Sequence, residues 1–313
     1  MSKATRQAFG ESLAKLGETH PEIVVLDADL AKSTKSELFM KKFPNRFFEM
    51  GIAEANMIGM AAGLSFTGKL PFLCSFGAFI TGRYDTIRLS VSYANANVRL
   101  IGTHAGVGIG DDGHSQMGLE DITLMRALPQ MGVFQPMDAR ETELLMDYLV
   151  KDWKGPAYIR LTRQNLPDFY PAGAKFNPTK LMEILPAAGG KPEIVMIGSG
   201  AGVAEAMGAA KLLAGQGITA SVWNAHCLKP FDDAKAIELA RGAKLIVTVE
   251  DHSVIGGLGS CVAEAIAMSG QAHGRLIKVG VQDTFGESGD PGELYDKHGI
   301  SAKAIAQRLT QEI

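Results

Sequence analysis

The sequence predicts an α/β protein made of two doubly wound, mainly parallel-sheet domains. Three observations carry this. Short apolar runs recur along the chain, segments of helical period separate them, and one proline- and glycine-rich stretch interrupts the alternation near the middle. Strand and helix in alternation is the pattern of βαβ units. Their strands, covered on both faces, read as unbroken apolar runs.

In the first half the expected strands are 23–26, 70–75, 98–103, 132–135 and 157–161. In the second half they are 194–198, 219–223, 245–250 and 275–279. Between them, 53–63, 140–150, 203–213 and 234–240 repeat apolar residues at helical spacing. The stretch 164–192 holds Pro167, Pro171, Pro178, Pro186 and Pro192 with Gly173, Gly189 and Gly190, and sustains no period. Such a stretch reads as a connection between domains, which divides the chain into 1–170, a linker 171–191, and 192–313. Its 313 residues suit two domains and are enough to bury a core without disulfides.

Hydrophobic residues make up 46% of the chain, charged residues 21%, and the formal net charge is −3. No basic stripe points to nucleic acid, and no apolar run approaches the ~20 residues of a membrane span. The amino-terminal residues carry no apolar signal core, so a cytoplasmic location is expected. Cys74, Cys227 and Cys261 have neither metal nor redox spacing and read as buried small apolar side chains.

Four segments carry chemistry. Glu54 falls in the first turn of the helix after Gly51. The helix dipole alone favours a carboxylate there; a part-buried carboxylate that trades a proton with a cofactor ring is the other reading. Phe76 and Phe79, three apart, are expected on one helix face, which serves a core equally well as an aromatic wall around a planar ring. After the strand 98–103 come His104, Gly106, Gly108, Gly110, Asp111, Asp112, Gly113, His114 and Gln116. A loop so dense in glycine, histidine and aspartate at the end of a parallel strand is where α/β proteins bind ligands, and its spacing matches no standard metal cluster. Arg163, also at a strand end, has the geometry to clamp a phosphate, with a surface salt bridge as the plain alternative. The glycines Gly198, Gly200 and Gly202 suggest a dinucleotide fingerprint, but no acidic strand end follows, and we read them as a tight turn.

Taken together, Asp29–Ser33, Glu49–Glu54, the His104–Gln116 loop, the Leu119-Glu-Asp-Ile run, Arg163-Gln-Asn-Leu-Pro and Glu250–Gly259 resemble the transketolase family in its two-gene form. The resemblance covers nearly the whole chain and implies its C-terminal subunit, a pyrimidine-binding domain followed by a C-terminal domain whose role is mainly assembly. It implies thiamine diphosphate as cofactor. Glu54 would bond N1′ of the aminopyrimidine and favour the imino tautomer that deprotonates the thiazolium; Glu54 and His104 are the implied catalytic residues. Phe76 and Phe79 would line the pyrimidine pocket, with Asp29 near the cofactor. His104 and Asp112 would contact sugar hydroxyls, and Arg6, Ser33 and Arg163 the substrate phosphate.

The chain departs from the family pattern where a histidine commonly contacts the sugar: it has Gln116, with His114 two residues earlier, and Gly82 where a third aromatic is expected. Glutamine cannot titrate, so any proton handling there is lost or passes to His114. The Gly-Asp-Gly run that holds diphosphate and Mg²⁺ (or Ca²⁺) in this superfamily is missing. The resemblance therefore implies an N-terminal partner subunit that holds the metal, an α2β2 heterotetramer, and transfer of a two-carbon ketol unit between sugar phosphates. The β subunit of a 2-oxo acid dehydrogenase E1 component, half of a 1-deoxyxylulose-phosphate synthase, and a non-catalytic assembly subunit are the rival readings.

Overall fold

A computed structural model describes residues 2–313. Its strands in the first half are β1 (Lys3–Ala4), β2 (Ile23–Asp27), β3 (Phe47–Glu49), β4 (Leu70–Phe76), β5 (Arg99–Thr103), β6 (Gly132–Phe134), β7 (Ala157–Arg160) and β8 (Asn165–Leu166). There follow β9 (Met182–Leu185), β10 (Ile194–Gly198), β11 (Ala220–Asn224), β12 (Cys227–Lys229), β13 (Leu245–Ser253) and β14 (Arg275–Val281). The helices begin with α1 (Thr5–Leu16), α2 (Ala31–Thr34), α3 (Glu37–Lys42), α4 (Glu54–Ser65), α5 (Gly77–Thr81), α6 (Tyr84–Thr86), α7 (Asp121–Ala127) and α8 (Ala139–Lys151). In the second half they are α9 (Ala201–Ala214), α10 (Asp233–Gly242), α11 (Leu258–Ser269), α12 (Pro291–Lys297) and α13 (Ala302–Thr310).

The apolar runs expected to be strands are strands. The first sheet runs β12-β6-β7-β5-β4-β2-β3, parallel throughout except for β12, which pairs antiparallel with β6. Every residue of β2, β4 and β5 is buried, as fits a sheet covered on both faces. Phe9, Leu13, Phe39, Leu145 and Leu149 from α1, α3 and α8 fill one side. Met57, Ile58 and Ala61 of α4 and Ile122 and Met125 of α7 fill the other. The second sheet runs β14-β13-β10-β11-β9, with only β9 antiparallel, between α9 and α13 on one face and α10 and α11 on the other.

Three features lay outside the hydrophobic pattern. The strand β9 falls within the expected linker and pairs with β11, adding a proline-flanked edge to the second sheet. The strand β12 comes from the second half of the chain yet completes the first sheet. The two halves are therefore joined by main-chain pairing as well as by a core cluster that includes Met125 and Met131 with Cys261 and Val262. Lastly, β1 pairs with β8, Lys3 opposite Leu166.

The turn read at Gly198–Gly202 is indeed structural. A Cβ on Gly202 would lie 2.2 Å from the Val249 carbonyl oxygen, so glycine there lets α9 sit hard against β13. All three cysteines are free and buried. Among the described residues no helix is long and apolar enough to cross a membrane.

Candidate active site

The strands β2, β4, β5 and β7 run parallel and end on one edge, so the segments that follow them converge there. The β1–β8 ladder adds the chain's beginning. The Thr5 hydroxyl accepts from the Thr162 N–H at 2.8 Å and lies 3.0 Å from the Thr162 hydroxyl. This stitches the first turn of α1 to the end of β7 and places Arg6 and Arg163 at the same edge, 157 residues apart in sequence.

Arg6 Nη1 donates to the Ser33 carbonyl at 2.7 Å and to His104 Nε2 at 2.9 Å. Its Nε is buried without a partner. Burial, then the nearby Arg163, pull the Arg6 pKa below its ordinary value. Arg163 Nη1 donates to the Ile109 carbonyl at 2.5 Å. Two guanidiniums thus share a site with only main-chain carbonyls and a neutral imidazole as partners, which is an arrangement that favours an anion.

A guanidinium can only donate, so His104 Nε2 is the acceptor and the ring proton sits on Nδ1, which donates to Thr103 Oγ1 at 2.8 Å. Burial first, then Arg6, Arg163 and Lys35, push the His104 pKa down to about 3. The imidazole is neutral at pH 7 and lies flat on Phe76, centroids 3.9 Å apart at 22°. Phe76 stacks in turn on Phe79 at 5.3 Å and 17°. The expected shared helix face is corrected here: Phe76 is the last residue of β4 and only Phe79 is helical, because α5 begins at Gly77. The two rings meet across the strand-to-helix corner instead.

Phe76, Phe79, His104, Arg6, Ser33, Asp112, Gln116 and Arg163 line one cavity of about 500 Å³. Lys32, Lys35 and Leu30 line it too and were not singled out from the sequence. The signal was their place on either side of Ser33. Four cations therefore face the cavity against one carboxylate, Asp112. Glu54, Asp29 and His114 are not in its lining. Exposed His114 stands over Phe285, ring centroids 6.4 Å apart. Asp29, at φ +62°, is exposed, and its N–H donates to Glu49 Oε1 at 2.8 Å. Glu49 also accepts from the Gly51 N–H at 3.0 Å and so fixes the turn that leads into α4; its role too was unread.

Glu54 is the first residue of α4, where the helix dipole favours a carboxylate. It is 5% exposed, and among the described residues no hydrogen bond or ion pair reaches it. Its helix packs on β4 and α5, the elements that carry Phe76 and Phe79. The Glu54 carboxylate oxygens are not among the enclosed atoms that lack a partner, so an incoming donor can reach them.

The class follows from fold and site together. The first sheet is the pyrimidine-binding half of a thiamine-diphosphate enzyme, and residues 1–168 match the family described as transketolase, pyrimidine binding domain. Residues 187–305 match the transketolase, C-terminal domain. The chain belongs to the transketolase family, whose cofactor is thiamine diphosphate, and within it is the C-terminal part of a transferase divided between two subunits.

It is 40% identical over 315 residues to a protein of Methanocaldococcus jannaschii described as a transketolase C-terminal section, covering 99% of this chain and 96% of that one. A 6-deoxy-6-sulfo-D-fructose transketolase subunit of Clostridium sp. (strain MSTE9) is 38% identical, covering 96% and 92%. A solved split-gene transketolase, an inactive β4 tetramer, superposes with a TM-score of 0.87 at 40% identity, covering 99% and 98%. Against human transketolase, 37% identical, the chain spans 48% of the length. These matches favour transketolase over the dehydrogenase and deoxyxylulose-phosphate synthase readings.

Proposed function

We propose that this chain, joined to an N-terminal subunit, catalyses reversible transfer of a two-carbon ketol unit from a ketose phosphate to an aldose phosphate. The observation that carries the reading is the Arg6–Arg163 pair, without a carboxylate partner, lining one cavity with the Phe76–Phe79–His104 stack. One end of the cavity suits an anion, while the other offers flat aromatic surface.

The residues fit the pyrimidine end of thiamine diphosphate: two stacked rings to hold a planar group, and a largely buried glutamate whose reachable carboxylate has no partner among the described residues. Bound there, the cofactor supplies the carbon nucleophile that takes up the two-carbon unit. Glu54 would accept a hydrogen bond from the ring at its carboxylate, Phe76 and Phe79 would orient the ring, and Asp29 would lie beside it. Arg6, the Ser33 turn and Arg163 would hold the substrate phosphate. A phosphate that draws Arg6 away frees His104 Nε2 to accept a sugar hydroxyl, and a neutral imidazole suits that task. Asp112, Gln116 and His114 would contact the remaining hydroxyls. The metal, Mg²⁺ or Ca²⁺, would be held by the partner, since no Gly-Asp-Gly run is present here. An α2β2 assembly in the cytoplasm completes the proposal, with 1–170 as pyrimidine-binding domain, 171–191 as linker and 192–313 as C-terminal domain. The inactive β4 tetramer formed by a relative supports the need for a second kind of subunit.

The test is ketol transfer from xylulose 5-phosphate to ribose 5-phosphate, with Mg²⁺ and thiamine diphosphate, with and without the N-terminal subunit. Activity only with both subunits is expected. No transfer by the complete, cofactor-binding complex from that donor or from 6-deoxy-6-sulfofructose would reject the reading.

A further inference from the structure

We propose that Asp251 is a positioning residue for the substrate loop, so that the C-terminal unit shapes the sugar site as well as assembly; the proposal rests on the site reading above. Asp251 lies in β13 of the second sheet and is 1% exposed. Its Oδ1 accepts from the Val107 N–H at 2.8 Å, and its Oδ2 from the Gly108 N–H at 3.1 Å and the Tyr295 hydroxyl at 2.8 Å.

Val107–Ile109 is a single 3₁₀ turn, and its opening N–H groups have no partner within the turn. A carboxylate from the other half of the chain therefore caps it, a task that normally falls to a local side chain. The far end of the same turn, the Ile109 carbonyl, is held by Arg163. The capped turn separates His104 from Asp112, so its placement sets the spacing between the two residues proposed to grip the sugar.

Two further contacts fix the geometry. Gly106 sits at φ +90°, and a Cβ there would come 2.2 Å from Asp251 Oδ2, so the loop lies directly on the carboxylate. Arg160 Nη2 donates to the Asp251 carbonyl at 2.9 Å and to the Gly118 carbonyl at 2.8 Å, which closes the loop's other end on the same strand. With three donors and a guanidinium beside it, a buried carboxylate is sustained. Without it, two buried N–H groups lose their acceptor.

The test uses the complete complex. Asp251→Asn keeps the size but turns an amide N–H toward one of the two main-chain donors. KM for the sugar phosphate should rise on the order of ten- to a hundred-fold, with a smaller change in kcat and unchanged affinity for thiamine diphosphate. Tyr295→Phe keeps both main-chain bonds, and its KM should rise less than about three-fold. A wild-type KM in an assembled Asp251→Asn complex overturns the proposal, as does an equal loss of cofactor affinity. Amide exchange on the wild-type chain decides independently of any variant. Val107 and Gly108 should be protected far beyond exposed Asp111, and exchange at the Asp111 rate would refute the capping. Absence of ketol transfer in the wild type would sink the site reading alone, since the exchange result stands without it.

Discussion

Asp121→Asn should be among the most destabilising conservative changes in the chain. Asp121 is fully buried at the start of α7; it accepts from Arg160 Nε at 2.8 Å and from the Tyr158 hydroxyl at 2.6 Å. Arg160 is 1% exposed, already has one Nη unpartnered, and otherwise meets only the Gly118 and Asp251 carbonyls. His252, 3.7 Å from Asp121, is pushed down to about 4 by burial and stays neutral, so its charge does not change the balance. Removing one member of a buried ion pair costs about 3–5 kcal/mol. The Asp251 carboxylate also stabilises Arg160, which places the cost near the lower end, about 3 kcal/mol. At roughly 2–4 °C per kcal/mol for units of this size, the melting midpoint should fall by about 10 °C. Circular dichroism on the isolated chain reads this directly. Adding Arg160→Met removes the stranded cation, so the double variant should recover about 2 kcal/mol. A shift below about 2 °C, or a double variant no better than the single, would refute the argument that the charge, rather than the hydrogen bonds, sets the cost.

Glu54→Ala should lower turnover of the reconstituted complex at least about 100-fold while the chain still folds and assembles; retained activity in the transfer assay would remove Glu54 from the cofactor. Arg163→Ala should raise KM for phosphorylated sugars by about ten- to a hundred-fold, from the loss of a charge-assisted bond. Unphosphorylated sugars should be affected much less, through the Ile109 carbonyl that Arg163 also holds, and an equal effect on them would argue against a phosphate contact. Glu250, fully buried, is lifted by burial to about 7 despite hydrogen bonds from the Leu258 and Gly259 N–H groups. A raised carboxyl contributes stability below its unfolded value near 4.5 and loses it as pH rises through about 7. Thermal melts should therefore fall in midpoint from pH 5 to pH 8, and Glu250→Gln should flatten that slope. An unchanged slope would mean that other groups dominate.

The long apolar strands and the amphipathic helices were legible because their burial is written in local spacing. Short edge strands were not. Lys3–Ala4 pairs with Asn165–Leu166, and Cys227–Lys229 joins the first sheet, through partners far away in sequence. Arg99 shows the limit most plainly. It sits inside a central strand with no exposure, its guanidinium taken up by the Leu149, Trp153 and Gly155 carbonyls. Asn97 Oδ1 is its one local side-chain partner, at 3.0 Å; the rest of the justification for a charged residue in β5 comes from the end of α8 and the turn after it, both lying against that strand.

At the site, residue types at glycine-rich strand ends made Glu54, Phe76, Phe79, His104 and Arg163 candidates, whereas Arg6 was implied only by the resemblance to the transketolase family. Their mutual relations lay beyond the sequence. The β1–β8 ladder and the Thr5–Thr162 bonds bring Arg6 to Arg163, and the tautomer of His104 is decided by the guanidinium that reaches its Nε2. The strand-to-helix corner stacks Phe76 on Phe79, where a common helix face was expected. Lys32 and Lys35 reach the cavity because α2 lies along its wall, and Asp251 reaches the loop because the end of β13 lies against the Val107–Ile109 turn. Local pattern determined which segments are strands and helices, since burial repeats at the period of each. Only the tertiary structure decided which of their ends meet, since contacts between residues more than a hundred positions apart leave no trace in spacing.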